Sequence, residues 1–221
     1  MLTIHAAPLV LPVGAAPVVD GAVVVDGDRI TAVGPYAEAA AMAPAARVRR
    51  WPGVLTPGLR QWHPLWLLRH CYHPDPREAG ELGELPLYGE RLAALGELDE
   101  SRWAGSVRRG VQRMLRHGTT AVASPGARFG DPLVATAVAR SGLAVVGVAG
   151  APGGMLLGER PDLDPFAEGY DLPGTVHGPL AVGGRADLAV FDVPDEAALT
   201  ERGAASCVAT VLAGRLVYRS R

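Results

Sequence analysis

Residues 54–65 read Val54-Leu55-Thr56-Pro57-Gly58-Leu59-Arg60-Gln61-Trp62-His63-Pro64-Leu65. A short apolar run here meets a Pro-Gly pair, which marks a turn or a break in regular structure. The stretch then reaches a histidine, a side chain used both for acid–base chemistry and for binding metals. We interpret the stretch as the junction at which a leading β-rich section passes into an α/β section.

The section before the junction has the pattern of antiparallel β-structure. The β-branched run at 22–25 is followed by Asp-Gly-Asp at 26–28, and residues 29–34 then alternate polar and apolar side chains. Two such runs around an Asp-Gly turn predict a β-hairpin. Residues 47–49 predict a further strand, and the alanine-rich residues 36–46 predict one short helical region.

The section after the junction contains a clear amphipathic helix. Asp99 or Ser101 can cap its start, and Gly118 supplies its stop. Its apolar stripe has a spacing of four residues and consists of Trp103, Val107, Val111 and Leu115. Residues 119–123, with the sequence Thr-Thr-Ala-Val-Ala, come next and predict a buried strand.

A second helix and strand repeat this arrangement. Asp131 can cap the helix, Pro132 stands at its first position, and Gly142 ends it. Residues 143–148 then predict another buried strand. Strands alternating with helices indicate parallel pairing with right-handed crossovers.

The last part of the chain returns to β-structure. Residues 150–179 are crowded with glycine and proline, which predicts a linker or an exposed loop. The Gly-Gly pair at 153–154 is not a phosphate loop, because no Gly-Lys-Ser/Thr follows it. Residues 186–192 predict a strand, and residues 208–218 predict a closing hairpin.

Composition excludes several classes of function. The 221 residues carry a net charge of −2, which offers no electrostatic case for nucleic acid or a membrane surface. All 21 basic residues are arginine, so a lysine Schiff base, a lysine general base and a carboxylated-lysine metal bridge are excluded. Cys71 and Cys207 form no CxxC pattern, and no apolar run approaches the roughly 20 residues of a membrane span. We therefore expect a cytoplasmic protein.

Several stretches resemble one family. Residues 20–35 are very similar to the opening strands of the amidohydrolase superfamily, nearest to its imidazolonepropionase and aminodeoxyfutalosine deaminase-like members. The junction 57–63 resembles the start of the family's barrel, and residues 117–122 resemble its second barrel strand. Residues 186–192 resemble its closing strands.

The resemblance implies the fold class and the domains. In the family, both chain ends form a small composite β-sandwich around a metal-binding (β/α)8 barrel. This implies an α/β protein with a composite β-sandwich from residues 1–56 and 180–221, and a truncated (β/α) barrel-like domain over 57–179. A complete barrel needs about 200 residues or more. The strands near 54–62, 119–124 and 143–148 cannot close a barrel, so an incomplete parallel segment is expected.

The resemblance also implies a metal position. The family's first barrel strand ends in His-x-His, and alternate residues of a strand point to one face, so that both imidazoles hold one metal. Here the matching positions are His63 and Leu65. An aliphatic side chain binds no metal, and Pro64 between them disturbs a strand. A divalent zinc, iron or manganese ion is therefore expected only if the protein is active.

Neighbouring residues offer a rearranged site. His70 and His73 have a spacing that brings two ligands together on a helical turn, and Cys71 could add a thiolate. The candidate metal ligands are thus His63, His70 and His73. The alternative is that these histidines line a pocket or face solvent. Three carboxylates of the sequence belong to no catalytic motif, namely Asp75, Glu78 and Asp187.

The resemblance implies hydrolysis of non-peptide carbon–nitrogen bonds, with a degenerate metal site that leaves the chain weak or inactive alone. No catalytic residue is identified. The alternative is a non-catalytic structural, regulatory or partner-binding protein that retains the sandwich. Exposed edges of an open parallel sheet favour a homodimer or a heteromeric partner. A small-molecule ligand at the ends of the strands is a third alternative.

Overall fold

A computed structural model describes residues 1–149, 162–167 and 169–220. The predicted loop 150–179 lies partly outside the described residues, and its Gly-Gly pair at 153–154 does so entirely. The described strands are β1 (Thr3–Val10), β2 (Val18–Asp26), β3 (Arg29–Pro35), β4 (Arg47–Arg50), β5 (Val54–Pro57), β6 (Leu59–Gln61), β7 (Thr119–Pro125), β8 (Ala144–Val148), β9 (Leu188–Phe191), β10 (Cys207–Leu212) and β11 (Arg215–Arg219). The described helices are α1 (Tyr36–Met42), α2 (Pro64–Arg69), α3 (Ala79–Leu82), α4 (Gly89–Ala93), α5 (Glu100–Arg116), α6 (Pro132–Ser141), α7 (Leu172–Thr175) and α8 (Glu196–Arg202), with 3₁₀ turns at Pro76–Glu78 and Ala204–Ser206.

Strands from both ends of the chain share one eight-stranded sheet. Its order is β11-β10-β9-β5-β1-β2-β3, and β4 pairs with β1 in addition. Strand β5 joins the two ends, because it runs parallel to β1, with Leu9 opposite Val54, and antiparallel to β9, with Val54 opposite Phe191. The composite β-domain implied by the sequence is therefore confirmed.

The core of this sheet also draws on both ends. Val23 of β2, Leu55 of β5 and Val211 of β10 are fully buried in one apolar cluster. Burying an aliphatic side chain of this size contributes about 1.5–3 kcal/mol. Each end supplies only part of the cluster, so the β-structure needs both ends to bury its apolar face.

The predicted hairpin is formed by β2 and β3. These strands pair antiparallel, with Val23 opposite Val33, and the turn closes between Asp26 and Arg29. Gly27 has φ of 59°, the left-handed conformation that a turn of this kind requires and that glycine adopts readily. The predicted strand at 47–49 and the short helix after the hairpin are present as β4 and α1.

The strand predicted over 54–62 is broken at Gly58, so this prediction was wrong in part. Strand β5 belongs to the eight-stranded sheet, whereas β6 belongs to a three-stranded sheet. The break is tightly packed: a Cβ on Gly58 would lie 2.0 Å from Thr120 Oγ1. The main-chain nitrogen of Gly58 donates to the carbonyl of Asp187 at 2.9 Å.

The incomplete barrel-like segment is a parallel sheet of order β6-β7-β8. Helix α5 precedes β7, and its buried face includes Val107, Val111 and Met114. Trp103 and Leu115 of the predicted stripe are only half-buried. A helix of 3.6 residues per turn drifts away from a strict four-residue spacing, so that Met114 takes the inward position predicted for Leu115.

Helix α6 has the predicted ends. Asp131 Oδ1 accepts a hydrogen bond from the main-chain nitrogen of Val134 at 2.9 Å, and Pro132 is the first helical residue. Gly142 follows the helix in the left-handed conformation, with φ of 82°. The cap, the proline and the glycine therefore set both helix boundaries.

The chain divides into two compact units. The first contains Met1–Arg60, Leu115–Ala121 and Asp164–Arg221, and the second contains Gln61–Met114 and Val122–Leu163. Both segments of the predicted sandwich, 1–56 and 180–221, fall within the first unit. The first unit also contains some of the residues that the sequence analysis assigned to the barrel-like domain 57–179.

Helices that could span a bilayer were sought among the described residues. None of them is both long enough and apolar enough to cross a membrane.

The close packing around Gly58 leads to a prediction about the free energy of unfolding. We expect Gly58→Ala to lower the free energy of unfolding by about 2 kcal/mol or more, because the new methyl group overlaps Thr120. Urea denaturation measures this change. The matched control is Gly80→Ala in α3, where nothing lies within 4 Å of an added Cβ. Equal stability of the two variants would contradict the packing assigned to Gly58.

Candidate functional site

The candidate metal position begins where β6 ends. Gln61 is buried, and its Oε1 accepts a hydrogen bond from the main-chain nitrogen of His63 at 3.0 Å. Its Nε2 donates to the carbonyl of Asp162 at 3.3 Å. His63 is the N-cap residue of α2, and Pro64 is the first residue of that helix. The chain thus leaves the strand at Gln61 and begins a helix two residues later, after His63.

This backbone geometry determines the element in which Leu65 lies. The His-x-His pattern works because alternate residues of a strand share a face. Here Leu65 lies in the first turn of α2 rather than on a strand, and it is 44% exposed. Residues 63 and 65 therefore do not share one face of a strand.

His73 is a buried side chain with a defined environment. Its Nε2 donates to the carbonyl of Leu67 at 2.9 Å, and its main-chain nitrogen is 2.8 Å from Ser106 Oγ. Its ring lies against the bare backbone of Gly110, where an added Cβ would be 2.7 Å from Nε2. The ring nitrogen Nδ1 is buried, with no hydrogen bond to the described residues. One nitrogen of the ring is thus occupied, and the other is enclosed.

The same environment keeps His73 neutral. The pKa of His73 is lowered to about 4, chiefly by burial. The hydrogen bond to Leu67 opposes this shift, and the nearby charges of Arg113 and Arg109 contribute to it. With Nε2 donating to a carbonyl, the neutral ring carries its proton on Nε2. This is the behaviour of a histidine packed in a protein core.

His70 and Cys71 are the other two candidates that the sequence offers in this segment. His70 is exposed and forms the C-cap of α2. Cys71 is buried, and burial raises the pKa of its thiol to about 12. The thiol is therefore protonated near neutral pH, whereas metal binding requires the thiolate.

The structure does not bring His63, His70 and His73 together as metal ligands. Within residues 1–149, 162–167 and 169–220, no group of three or more histidine, cysteine, aspartate or glutamate side chains could hold a metal ion. The residues present there do not fit the divalent ion implied by the resemblance. The three histidines as metal ligands stay a prediction from the sequence.

The carboxylates noted in the sequence have structural partners. Asp187 Oδ1 accepts from the main-chain nitrogen of Ala213 at 2.7 Å and its Oδ2 lies 3.4 Å from Arg185, so it supports the turn between β10 and β11. Asp75 and Glu78 form a capping box on the 3₁₀ turn Pro76–Glu78. These contacts account for all three without a catalytic role.

A polar network around Glu78 was not predicted from the sequence. Tyr72 donates to Glu78 Oε2 at 2.6 Å, and Arg102 donates to Glu78 Oε1 at 2.8 Å and to the Tyr72 hydroxyl at 3.1 Å. Burial raises the pKa of Glu78, but hydrogen bonds from Tyr72, Asp75 and Arg102 lower it more, so the net shift is downward. Glu78 and Arg102 are 24 residues apart, and no local pattern marks such a pair.

This network forms a wall of a cleft in the second unit. The cleft has a volume of about 430 Å³ and is lined by residues 72–78 and 99–109. Arg109 contributes to the same wall, because its Nε donates to the carbonyl of His73 at 2.8 Å and its Nη1 to Asp75 Oδ2 at 3.2 Å. The lining is dominated by arginine and carboxylate side chains.

One family match falls on the opening strands of the chain. Residues 21–46 match the family model described as "Imidazolonepropionase-like composite domain, bacteria". This segment is thus similar to an imidazolonepropionase-like composite domain, in agreement with the resemblance drawn from the opening strands. The match covers most of β2, all of β3 and α1, and ends at residue 46. Comparison with curated proteins gave no match.

Solved structures of hydrolases and deaminases overlap with part of the chain. A. niger ochratoxinase is 21% identical, with a TM-score of 0.43 over 68% of this chain and 32% of that one. A zinc-bound adenosine deaminase from Xanthomonas campestris is 23% identical, with a TM-score of 0.44 over 65% and 33%. A guanine deaminase from Bradyrhizobium japonicum is 20% identical, with a TM-score of 0.41 over 68% and 35%. The overlap spans about a third of the length of each.

The enclosure of His73 predicts a pH dependence of stability. The pKa of His73 in the folded protein, about 4, lies below its ordinary value of 6.5, so the unfolded chain binds the proton more readily. The contribution of His73 to the free energy of unfolding is therefore fully present above pH 6.5, and it is lost as the pH falls towards 4. His73 should account for a loss of about 2 kcal/mol between pH 7 and pH 5.

Urea denaturation at the two pH values measures this loss. We expect the loss of unfolding free energy between the two pH values to be smaller by that amount in His73→Leu than in the wild type. The control His70→Leu should show the same loss as the wild type, because His70 is exposed. If His73→Leu does not fold, NMR titration of the wild-type ring provides the measurement. A ring that protonates near pH 6.5 would contradict the buried neutral state.

Proposed function

We propose that this chain is an amidohydrolase-like protein with a degenerate metal site, weak or inactive alone in hydrolysing carbon–nitrogen bonds. The observation that carries the proposal is the start of α2 at Pro64, directly after His63. It leaves one histidine between β6 and the helix and places the aliphatic residue Leu65 on the helix. The enclosed ring of His73 supports the same conclusion.

Metal-dependent hydrolysis requires a bound ion with an open position for water. The described residues offer no group of ligands for such an ion. No catalytic step is therefore assigned to His63, His70 or His73. In this proposal His63 has a local role as the N-cap residue of α2, two residues after β6 ends.

Metal analysis tests the proposal. Protein incubated with zinc, iron or manganese and then dialysed should retain less than about one tenth of an ion per chain, because the described residues form no group of three or more ligands. We expect Leu65→His to retain no more, since residue 65 lies on the helix. Near-stoichiometric metal in the wild type that is lost in His63→Ala would overturn the proposal.

A second candidate function is association with another protein chain, with a second copy of this chain as the simplest partner. The observation that favours it is β8, an apolar strand at the end of the order β6-β7-β8. Parallel strands are normally buried on both faces, yet the residues of β8 alternate between half-buried and exposed, and Val145 is 36% exposed. No described strand pairs with its outer edge.

The native mass tests this association. We expect a mass of twice that of one chain by light scattering at micromolar concentration, and a monomeric mass for Val145→Arg, because a charge on β8 opposes burial of the strand. The control is Val182→Arg, which places the same charge at a residue that is 69% exposed in the first unit. A monomeric wild type would contradict the association.

A further inference from the structure

The cleft of the second unit contains more arginine side chains than are paired with the carboxylates of its own wall. Its lining includes four arginines, at positions 77, 102, 108 and 109, and three carboxylates, at positions 75, 78 and 99. Arg102 is paired with Glu78 at 2.8 Å, and Arg109 is paired with Asp75 at 3.2 Å. Asp99 Oδ1 accepts from the main-chain nitrogen of Arg102 at 2.7 Å and so caps the start of α5.

Two guanidinium groups remain for a ligand. Arg77 and Arg108 are exposed, and neither forms an ion pair with the described residues. They belong to different elements, the 3₁₀ turn Pro76–Glu78 and helix α5. The cleft therefore offers two arginine forks, each with five N–H donors, from two separate parts of its wall.

The wall that carries these groups is held in place by its own contacts. The guanidinium carbons of Arg102 and Arg109 lie 5.2 Å and 5.8 Å from the centre of the Tyr72 ring. Gly105 leaves space for Arg109, because an added Cβ there would be 3.0 Å from Nη1. A wall fixed in this way loses little conformational entropy when a ligand binds.

The donors favour a phosphate group over a carboxylate. A carboxylate presents one planar edge, which a single guanidinium satisfies with two parallel hydrogen bonds. A phosphate presents acceptor oxygens in several directions and so suits two guanidiniums from separate elements. The volume of about 430 Å³ exceeds what a phosphate alone needs and is in the range of sites for small organic molecules.

We propose that this cleft binds the phosphate group of a small phosphorylated molecule, with Arg77 and Arg108 as the donors to the phosphate. Arg102 and Arg109 position the wall through Glu78, Asp75 and Tyr72. None of the candidate histidines lines the cleft, so the proposal is independent of the metal site and of the proposed function.

Isothermal titration calorimetry tests the proposal with three probes: inorganic phosphate, glucose 6-phosphate and acetate. The buffer contains EDTA, and potassium chloride holds the ionic strength constant, because exposed charges are screened by salt. We expect saturable binding of phosphate, tighter binding of glucose 6-phosphate, and no saturable binding of acetate. The double variant Arg77→Ala/Arg108→Ala should weaken phosphate binding at least tenfold.

The matched control is Arg140→Ala, which removes an exposed arginine of α6 outside the cleft and should bind phosphate like the wild type. Arg108→Lys keeps the charge but loses the planar fork, so we expect intermediate affinity. Circular dichroism verifies the fold of each variant. The proposal is overturned by a wild type that does not bind phosphate, by acetate binding as tightly, or by equal losses in the double variant and the control.

Discussion

The pairing of β5 with β9 is the interaction on which the rest of the first unit depends. It brings Val54–Pro57 beside Leu188–Phe191 and so joins two parts of the chain that are far apart in sequence. The same β5 pairs with β1, so the order β9-β5-β1 continues one sheet through both ends. Without β5, the apolar faces of the two ends would each lack half of their shared core.

One residue after β5, the chain changes partners at Gly58, and a few residues later it changes again at Pro64. The first change directs β6 into the parallel sheet, and the second begins helix α2. Strand β6 ends at Gln61, so residues 63 and 65 would share one face of a strand only if β6 continued for four more residues. The Pro-Gly-Leu portion of the junction thus leads into β6, whereas residue 65 lies in a helix.

The elements predicted well were those with strong local chemistry. The Asp-Gly turn specified the β2–β3 hairpin, and Asp131, Pro132 and Gly142 specified the ends of α6. The break at Gly58 was missed because it depends on contact with Thr120, which no local pattern reveals. For the same reason the candidate site was predicted only as histidines near the junction: the burial of His73 against Gly110, and the network of Tyr72, Glu78 and Arg102, arise from tertiary packing.

The interleaved strand order has a consequence for synthesis on the ribosome. Strands β1 to β5 emerge well before the partner that completes the edge of β5, because that partner is β9, which begins at Leu188. At about 5–20 residues per second, translation leaves that edge open for roughly ten seconds. The nascent chain must therefore hold an unpaired apolar strand until β9 is made. Such a delay exposes β5 to chaperones and to neighbouring nascent chains.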